Sequence, residues 1–162
     1  MERVSKTNYY LDIAEAISGR STCMLKKYGC IIVKNDEIIS TGYSGAPRGR
    51  ENCIDLGYCT KKKFFPDKHH SGYDACRAVH AEQNAMISAS RKNMIDSSLY
   101  LVGIRHDGTY EQGASPCQMC RKMIINSGIQ SVYIRINKTE YNKVDVNEWI
   151  NHDDLLDGKI EY

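Results

Sequence analysis

Cys76-Arg77-Ala78-Val79-His80-Ala81-Glu82-Gln83-Asn84-Ala85 and Ser115-Pro116-Cys117-Gln118-Met119-Cys120 are the two stretches on which the reading of this chain turns. The first offers an imidazole with a carboxylate two residues on, the second a pair of thiols three residues apart behind a proline. His80, Cys117 and Cys120 are good zinc ligands, and three protein ligands leave a tetrahedral zinc one open position. Thiols three apart in the first turn of a helix share a face and can chelate one ion. A helix N-terminus also favours thiolate over thiol, and Pro116 suits a helix start. His80 can supply the third ligand if the two helix N-termini face each other. Glu82 points to a different part of its helix. It can therefore reach a water at the metal without ligating the metal. Zinc makes hydroxide available near neutral pH, and a carboxylate beside it can move the protons of a hydrolysis.

Working outward, Ala81, Ala85 and Ala89 give helix propensity to a segment from about Val79 to about Arg91. Leu99 to Ile104 reads as a buried strand. The Cys117 segment opens a helix to about Ser127, with Gly128 as its stop. Ser131 to Ile136 reads as another strand, and Asp145 to Leu156 as a last helix with Trp149 and Ile150 on its apolar side. The tail Lys159-Ile160-Glu161-Tyr162 could add an edge strand. Toward the N-terminus, Tyr10, Ile13, Ala14 and Ile17 predict a helix over Lys6 to Ser18. Gly29 to Val33 and Glu37 to Ser40 form a hairpin about Lys34-Asn35-Asp36. Strands alternating with helices after a hairpin imply a layered α/β domain with a mixed sheet. Gly42 to about Tyr73 is the least regular part. A loop that long in a compact domain is functional, or is pinned by something other than a core. Its lysine triplet, Lys61-Lys62-Lys63, reads as a solvated face.

At 162 residues the chain fits one domain, 1–162, able to bury a substantial core. A net charge of +2 gives no support for a protein that coats nucleic acid or an anionic membrane. The N-terminal MERVSKTNYYLDIAEAI lacks a long apolar run, so it is no secretory signal. Nothing is long and apolar enough to span a membrane. A cytoplasmic location follows as the default. Seven cysteines, an odd number, point to metal binding or catalysis and away from a disulfide framework.

The two opening stretches together match the signature of zinc nucleobase deaminases. With Gly42-Tyr43-Ser44-Gly45-Ala46-Pro47-Arg48-Gly49, they resemble the deoxycytidylate (dCMP) deaminase family, of cytidine deaminase-like fold, over roughly Ser21 to Ile136. The resemblance implies a three-layer α-β-α sandwich with a mixed sheet of about five strands. It implies hydrolysis of dCMP to dUMP and ammonia. His80, Cys117 and Cys120 match the family's catalytic zinc ligands and Glu82 its proton shuttle, while the backbone of Ala81 would face the pyrimidine. It further implies a homo-oligomer with dCTP and dTTP as effectors, which would bring Mg2+ with them. One position departs. The family usually has Gly-Tyr-Asn-Gly, whose asparagine is expected to hydrogen-bond the sugar, and this chain has Ser44 there.

Of the other cysteines, Cys30 reads as a small core residue. Cys23, Cys53, Cys59 and Cys76 lie in or beside irregular segments, and four thiolates fit a closed structural zinc. His69 or His70 could stand in for one of them. Related dCMP deaminases carry a second zinc built partly from positions equivalent to Cys23 and Cys53. A nucleotide's phosphate needs cations, and Arg48, Arg50, Arg77 and Arg121 flank the motifs. Tyr110 and Tyr133 read as core or surface residues ahead of contacts to the base. Two alternatives remain: a deaminase of another cytosine nucleotide, nucleoside or RNA base, and a zinc-binding module without activity. Near-neutral charge counts against a polynucleotide substrate. Glu82, a carboxylate no closed structural site needs, counts against the inert module.

Overall fold

The sheet grows from a two-residue turn. Asn35 and Asp36 both have positive φ (49° and 67°), the turn whose twist matches that of two antiparallel strands. It joins β1 (Lys26–Lys34) to β2 (Glu37–Tyr43). The structure is a computed structural model that describes residues 2–68 and 73–158. β3 (Ser98–Arg105) pairs antiparallel with β1, β4 (Ser131–Arg135) parallel with β3, and β5 (Tyr141–Asp145) antiparallel with β4. The result is a mixed five-stranded sheet of order β2-β1-β3-β4-β5.

Helices cover both faces. α1 (Lys6–Ser18) lies on one, where Tyr10, Leu11 and Ala14 pack on Ile31, Val33, Tyr100 and Val102. The irregular segment after β2 carries two short helices, α2 (Cys53–Leu56) and α3 (Thr60–Phe64). α4 (Ala81–Ile87), α5 (Arg91–Met94) and α6 (Gln118–Ser127) lie on the opposite face, over Cys30, Ile32, Leu99, Leu101, Val132 and Ile134. Alternate residues of β1 thus serve two cores. That is why the strand reads as an unbroken apolar run and not as an alternation. The three-layer fold expected from the sequence is the fold found.

Glycine sets how close α4 comes. A Cβ on Gly42 of β2 would lie 2.2 Å from the Ala81 carbonyl oxygen and 2.4 Å from the Ala85 nitrogen. The Ser40 hydroxyl donates to the Ala85 carbonyl (2.8 Å), fixing the helix along the strand.

Boundaries moved for local reasons. The helix expected over Val79 to Arg91 stops at Ile87 and restarts as α5. The Ser90 hydroxyl accepts from the Asn93 N–H and caps a new helix, a local bond that competes with continuation. The last helix, expected to Leu156, is α7 (Val146–Asn151). Asp153 then draws the chain into a turn by accepting from the Leu155 N–H. The sequence reading missed β5. It is exposed along most of its length, so it lacks the apolar pattern that reveals a strand. The tail strand expected at 159–162 lies outside the described residues.

Across the α1 face, Arg135 is fully buried. It donates to Asp12 and Glu15, each at 2.7 Å, and to the Asn8 carbonyl at 3.2 Å.

Candidate active site

His80 is the N-cap of α4 and Cys117 the N-cap of α6, so the two helices point their N-termini at one spot. The Gln83 side chain accepts from the His80 N–H (2.9 Å) and holds the first turn of α4. The Arg121 guanidinium does the same for the approach to α6. Its Nε donates to the Pro116 carbonyl (3.0 Å) and its Nη2 to the Ser115 hydroxyl (3.2 Å), while its plane lies 5.2 Å from the Trp149 ring. The sequence reading offered Arg121 for phosphate. The structure makes it a brace for the cysteine pair.

The His80 Nδ1 lies 3.5 Å from the Cys117 Sγ and 3.4 Å from the Cys120 Sγ. The three ligand atoms fall within 4.8 Å of one another, and no other histidine, cysteine or carboxylate group among the described residues does so in threes. The electrostatics suit a cation. A hydrogen bond from Cys120 outweighs burial and, with a second from His80, holds the Cys117 thiol well below its ordinary range. The same bond, with burial, holds the Cys120 proton on. Burial pushes His80 down, but its bond to Cys117 and the Glu82 charge push it up and prevail. Two soft sulfurs and one imidazole, drawn together largely out of water with one thiol already primed to ionise, are a zinc donor set.

Glu82, one residue into α4 beyond Ala81, is 4% exposed. Burial pushes its carboxyl up to about 6, against the lowering pull of His80. It stands outside the ligand triad, as its spacing required.

His80, Glu82 and Cys117 line one cavity of about 330 Å³, within the range of small-molecule sites. Ser44, Arg77, Ala81 and all four of Cys23, Cys53, Cys59 and Cys76 share its wall. A larger depression of about 910 Å³ between Arg3, Tyr9 and Ile38 holds no such cluster. Gly45 and Val79 exchange backbone hydrogen bonds (2.8 and 3.2 Å), which ties the glycine-rich loop to the residue before His80.

Several expectations need revision in detail. Arg48 is exposed and lies off the cavity wall, as does Arg50. Arg77 is at the wall but donates to the Glu51 carbonyl (2.7 Å). The Ser44 hydroxyl is occupied. It accepts from the Tyr28 N–H (3.1 Å) and shares a 2.7 Å bond with Ser21. The four remaining cysteines are free thiols that do not close into a chelating cage here. His69 and His70 lie outside the described residues. Tyr110 and Tyr133 sit on the α1 side of the sheet, Tyr110 donating to Glu15 and Tyr133 stacked on Tyr100. The sequence reading passed over Tyr73, whose ring stands edge-on to His80 (centroids 4.7 Å apart), and over Tyr28. Neither carries a motif signal.

The profile of the cytidine and deoxycytidylate deaminase zinc-binding region matches residues 4–136. The chain belongs to that deaminase family. The deoxycytidylate deaminase of Mycobacterium phage D29 is 33% identical over 82% of this chain and 95% of its own length. That of Schizosaccharomyces pombe is 30% identical over 86% of this chain, which spans only 39% of the yeast protein. The dCMP deaminase of cyanophage S-TIM5 in apo form superposes with a TM-score of 0.55 at 29% identity, over 80% of this chain and 81% of that one. Deaminase family membership accounts for the zinc-type donor set and for the mixed sheet with helices on both faces. No helix among the described residues is long and apolar enough to cross a membrane.

Proposed function

We propose that this chain is a zinc-dependent deaminase that hydrolyses dCMP to dUMP and ammonia. One observation carries the reading: the His80, Cys117 and Cys120 ligand atoms converge, His80 and Cys117 line a small-molecule cavity, and Glu82 lines it too, buried and not among the ligands. The substrate class is supported by relatives named deoxycytidylate deaminase and by the S-TIM5 enzyme solved with dCMP and dUMP.

His80, Cys117 and Cys120 would hold the metal. When bound, zinc supplies the Lewis acidity that makes hydroxide available near neutral pH. The chain's own residues do the rest. Glu82 takes the proton of the attacking water and delivers it to the ring nitrogen next to the attacked carbon. It then takes the second proton and gives it to the departing amine, so that water and dCMP become dUMP and ammonia. A carboxyl raised by burial suits both directions of that transfer. Ala81 lines the cavity next to Glu82, where its wall would lie against the ring.

Ammonia release from dCMP, CMP, deoxycytidine and adenosine-containing RNA tests the reading. Turnover of dCMP above the others supports it, and preferred release from RNA overturns it.

The same proposal extends to a second, structural zinc held among Cys23, Cys53, Cys59 and Cys76, supported by four free thiols on one wall. Metal analysis of fully active protein should give two zinc per chain; one per chain rejects it. A homo-oligomer with dCTP and dTTP effectors and their Mg2+ rests on family resemblance alone. Light scattering with and without each triphosphate tests that part.

A further inference from the structure

The Lys61-Lys62-Lys63 triplet is not the uniform solvated face its composition suggested. Lys61 and Lys62 line the cavity, while the Lys63 ammonium turns away to lie 3.8 Å from the Tyr58 ring centroid. The cavity wall is cationic. Lys26, Lys61, Lys62 and Arg77 are on it, and Glu82, at the reacting end, is its one carboxylate among the described residues. Of the four, Lys26 pairs with Glu111 (3.2 Å), and Arg77 is held by a neutral group, its Nη2 donating to the Glu51 carbonyl while its buried Nε has no hydrogen-bond partner among the described residues. Lys61 and Lys62 have no carboxylate partner among the described residues.

Lys61 is the better placed of the two. It is half-buried, whereas Lys62 is exposed. Its ammonium lies 5.3 Å from the centroid of Tyr73, and Tyr73 stands edge-on to His80 at 4.7 Å. One aromatic ring therefore separates the ammonium from a metal ligand. A nucleoside monophosphate has the same layout, with its reacting ring carbon at one end, its phosphate at the other and a sugar between. The loop after β2, by contrast, offers the ligand little, because Ser44 spends its hydroxyl on Ser21 and Tyr28. A cavity so arranged fits a ligand whose negative charge lies away from the metal and toward α3.

Resting on the deaminase reading above, we infer that Lys61 binds the 5′-phosphate of the nucleotide and is the residue that selects nucleotide over nucleoside. Selectivity in this chain thereby moves from the loop after β2 to α3. The ammonium meets a dianionic phosphate in a half-buried setting, with the Tyr73 ring 5.3 Å from it as a further favourable neighbour.

The test compares Lys61→Gln, Lys61→Arg and Lys63→Gln on the zinc-loaded protein. Ammonia release gives kcat/KM for dCMP and for deoxycytidine, and calorimetry gives Kd for dUMP and for deoxyuridine. Lys61→Gln should lower the dCMP-to-deoxycytidine ratio of kcat/KM by about tenfold to a hundredfold, the worth of one charge-assisted hydrogen bond. It should weaken dUMP binding by a similar factor relative to deoxyuridine. Lys61→Arg should recover most of both ratios, and Lys63→Gln should leave both at the wild-type value. If Lys61→Gln lowers both members of each pair equally, or lowers neither, the assignment is overturned. If the wild type releases no ammonia from either substrate, the proposed reaction fails. The dUMP and deoxyuridine affinities then decide Lys61 by themselves: a selective loss for dUMP upholds it, and equal affinities reject it.

Discussion

Replacing Gly42 by alanine should damage the site from the far side of α4, without touching any side chain in it. The added Cβ would lie 2.2 Å from the Ala81 carbonyl oxygen and 2.4 Å from the Ala85 nitrogen, where ordinary contact begins at 3.4 Å. Both atoms are backbone, so no side chain can rotate away. The helix must retreat from β2 by about 1 Å, stretching the bond from Ser40 to the Ala85 carbonyl. Overpacking of this kind costs about 1–3 kcal/mol, or roughly 3–10 °C of Tm in a chain of this size. The functional loss should be larger in relative terms. α4 carries His80 at its cap and Glu82 in its first turn, and a shift of about 1 Å in a reacting group can cost on the order of 100-fold. Thermal unfolding by circular dichroism, kcat/KM for dCMP from ammonia release, and zinc per chain would be measured together. Gly49→Ala is the control. Its φ is +84° with nothing within 4 Å of the added Cβ, so it should lose about 1 kcal/mol from backbone strain alone and keep its kcat/KM. Gly42→Ala with wild-type kcat/KM and full zinc, or a Gly49→Ala variant equally impaired, would refute the reasoning.

Glu82→Gln keeps the shape of a buried side chain that is not in the ligand triad. Zinc content should be unchanged, and kcat for dCMP should fall by at least about 100-fold, toward 10⁴-fold; ordinary turnover would reject Glu82 as the proton carrier. Asp12 and Glu15 are each pushed up by burial, yet hydrogen bonds win and hold both below the usual carboxylate range: from Arg135 and Lys138 at Asp12, from Tyr110 and Arg135 at Glu15. Because their folded pKa values are depressed, the stability they give is present above the unfolded value of about 4 and drains away as pH falls through the folded values. Urea midpoints of the wild type should therefore drop from pH 6 to pH 3 more steeply than those of the Asp12→Asn, Glu15→Gln double variant; parallel slopes would remove these groups from acid sensitivity. Treatment with a strong chelator should abolish ammonia release and lower Tm, since a metal that binds only the folded state stabilises it. Added zinc should restore both, and a chelated protein of unchanged Tm would show that the triad adds nothing to folding.

The grouping of His80, Cys117 and Cys120, with Glu82 beside it, was legible because its chemistry is short-range in sequence. Cys117 and Cys120 are bound to one helical turn, and His80 and Glu82 to another, so ligand sharing and ligand exclusion follow from 3.6 residues per turn. The central strands were equally legible, since burial on both faces forces unbroken apolar runs such as Cys30-Ile31-Ile32-Val33. β5 was not, because an exposed edge strand is held by backbone hydrogen bonds that leave no apolar pattern. The split of the helix after Ile87 depended on a serine choosing a local cap over the helix.

What the sequence by itself determined is which residues could bind zinc and move protons. Tertiary structure decided how far apart they stand and what surrounds them. The approach of α4 to β2 over Gly42, the withdrawal of the Ser44 hydroxyl into bonds with Ser21 and Tyr28, and the division of one lysine triplet between cavity and surface all rest on contacts between segments distant in the chain. Composition cannot fix these, because the same lysine is a solvated charge or a ligand contact according to which wall its helix is pinned against.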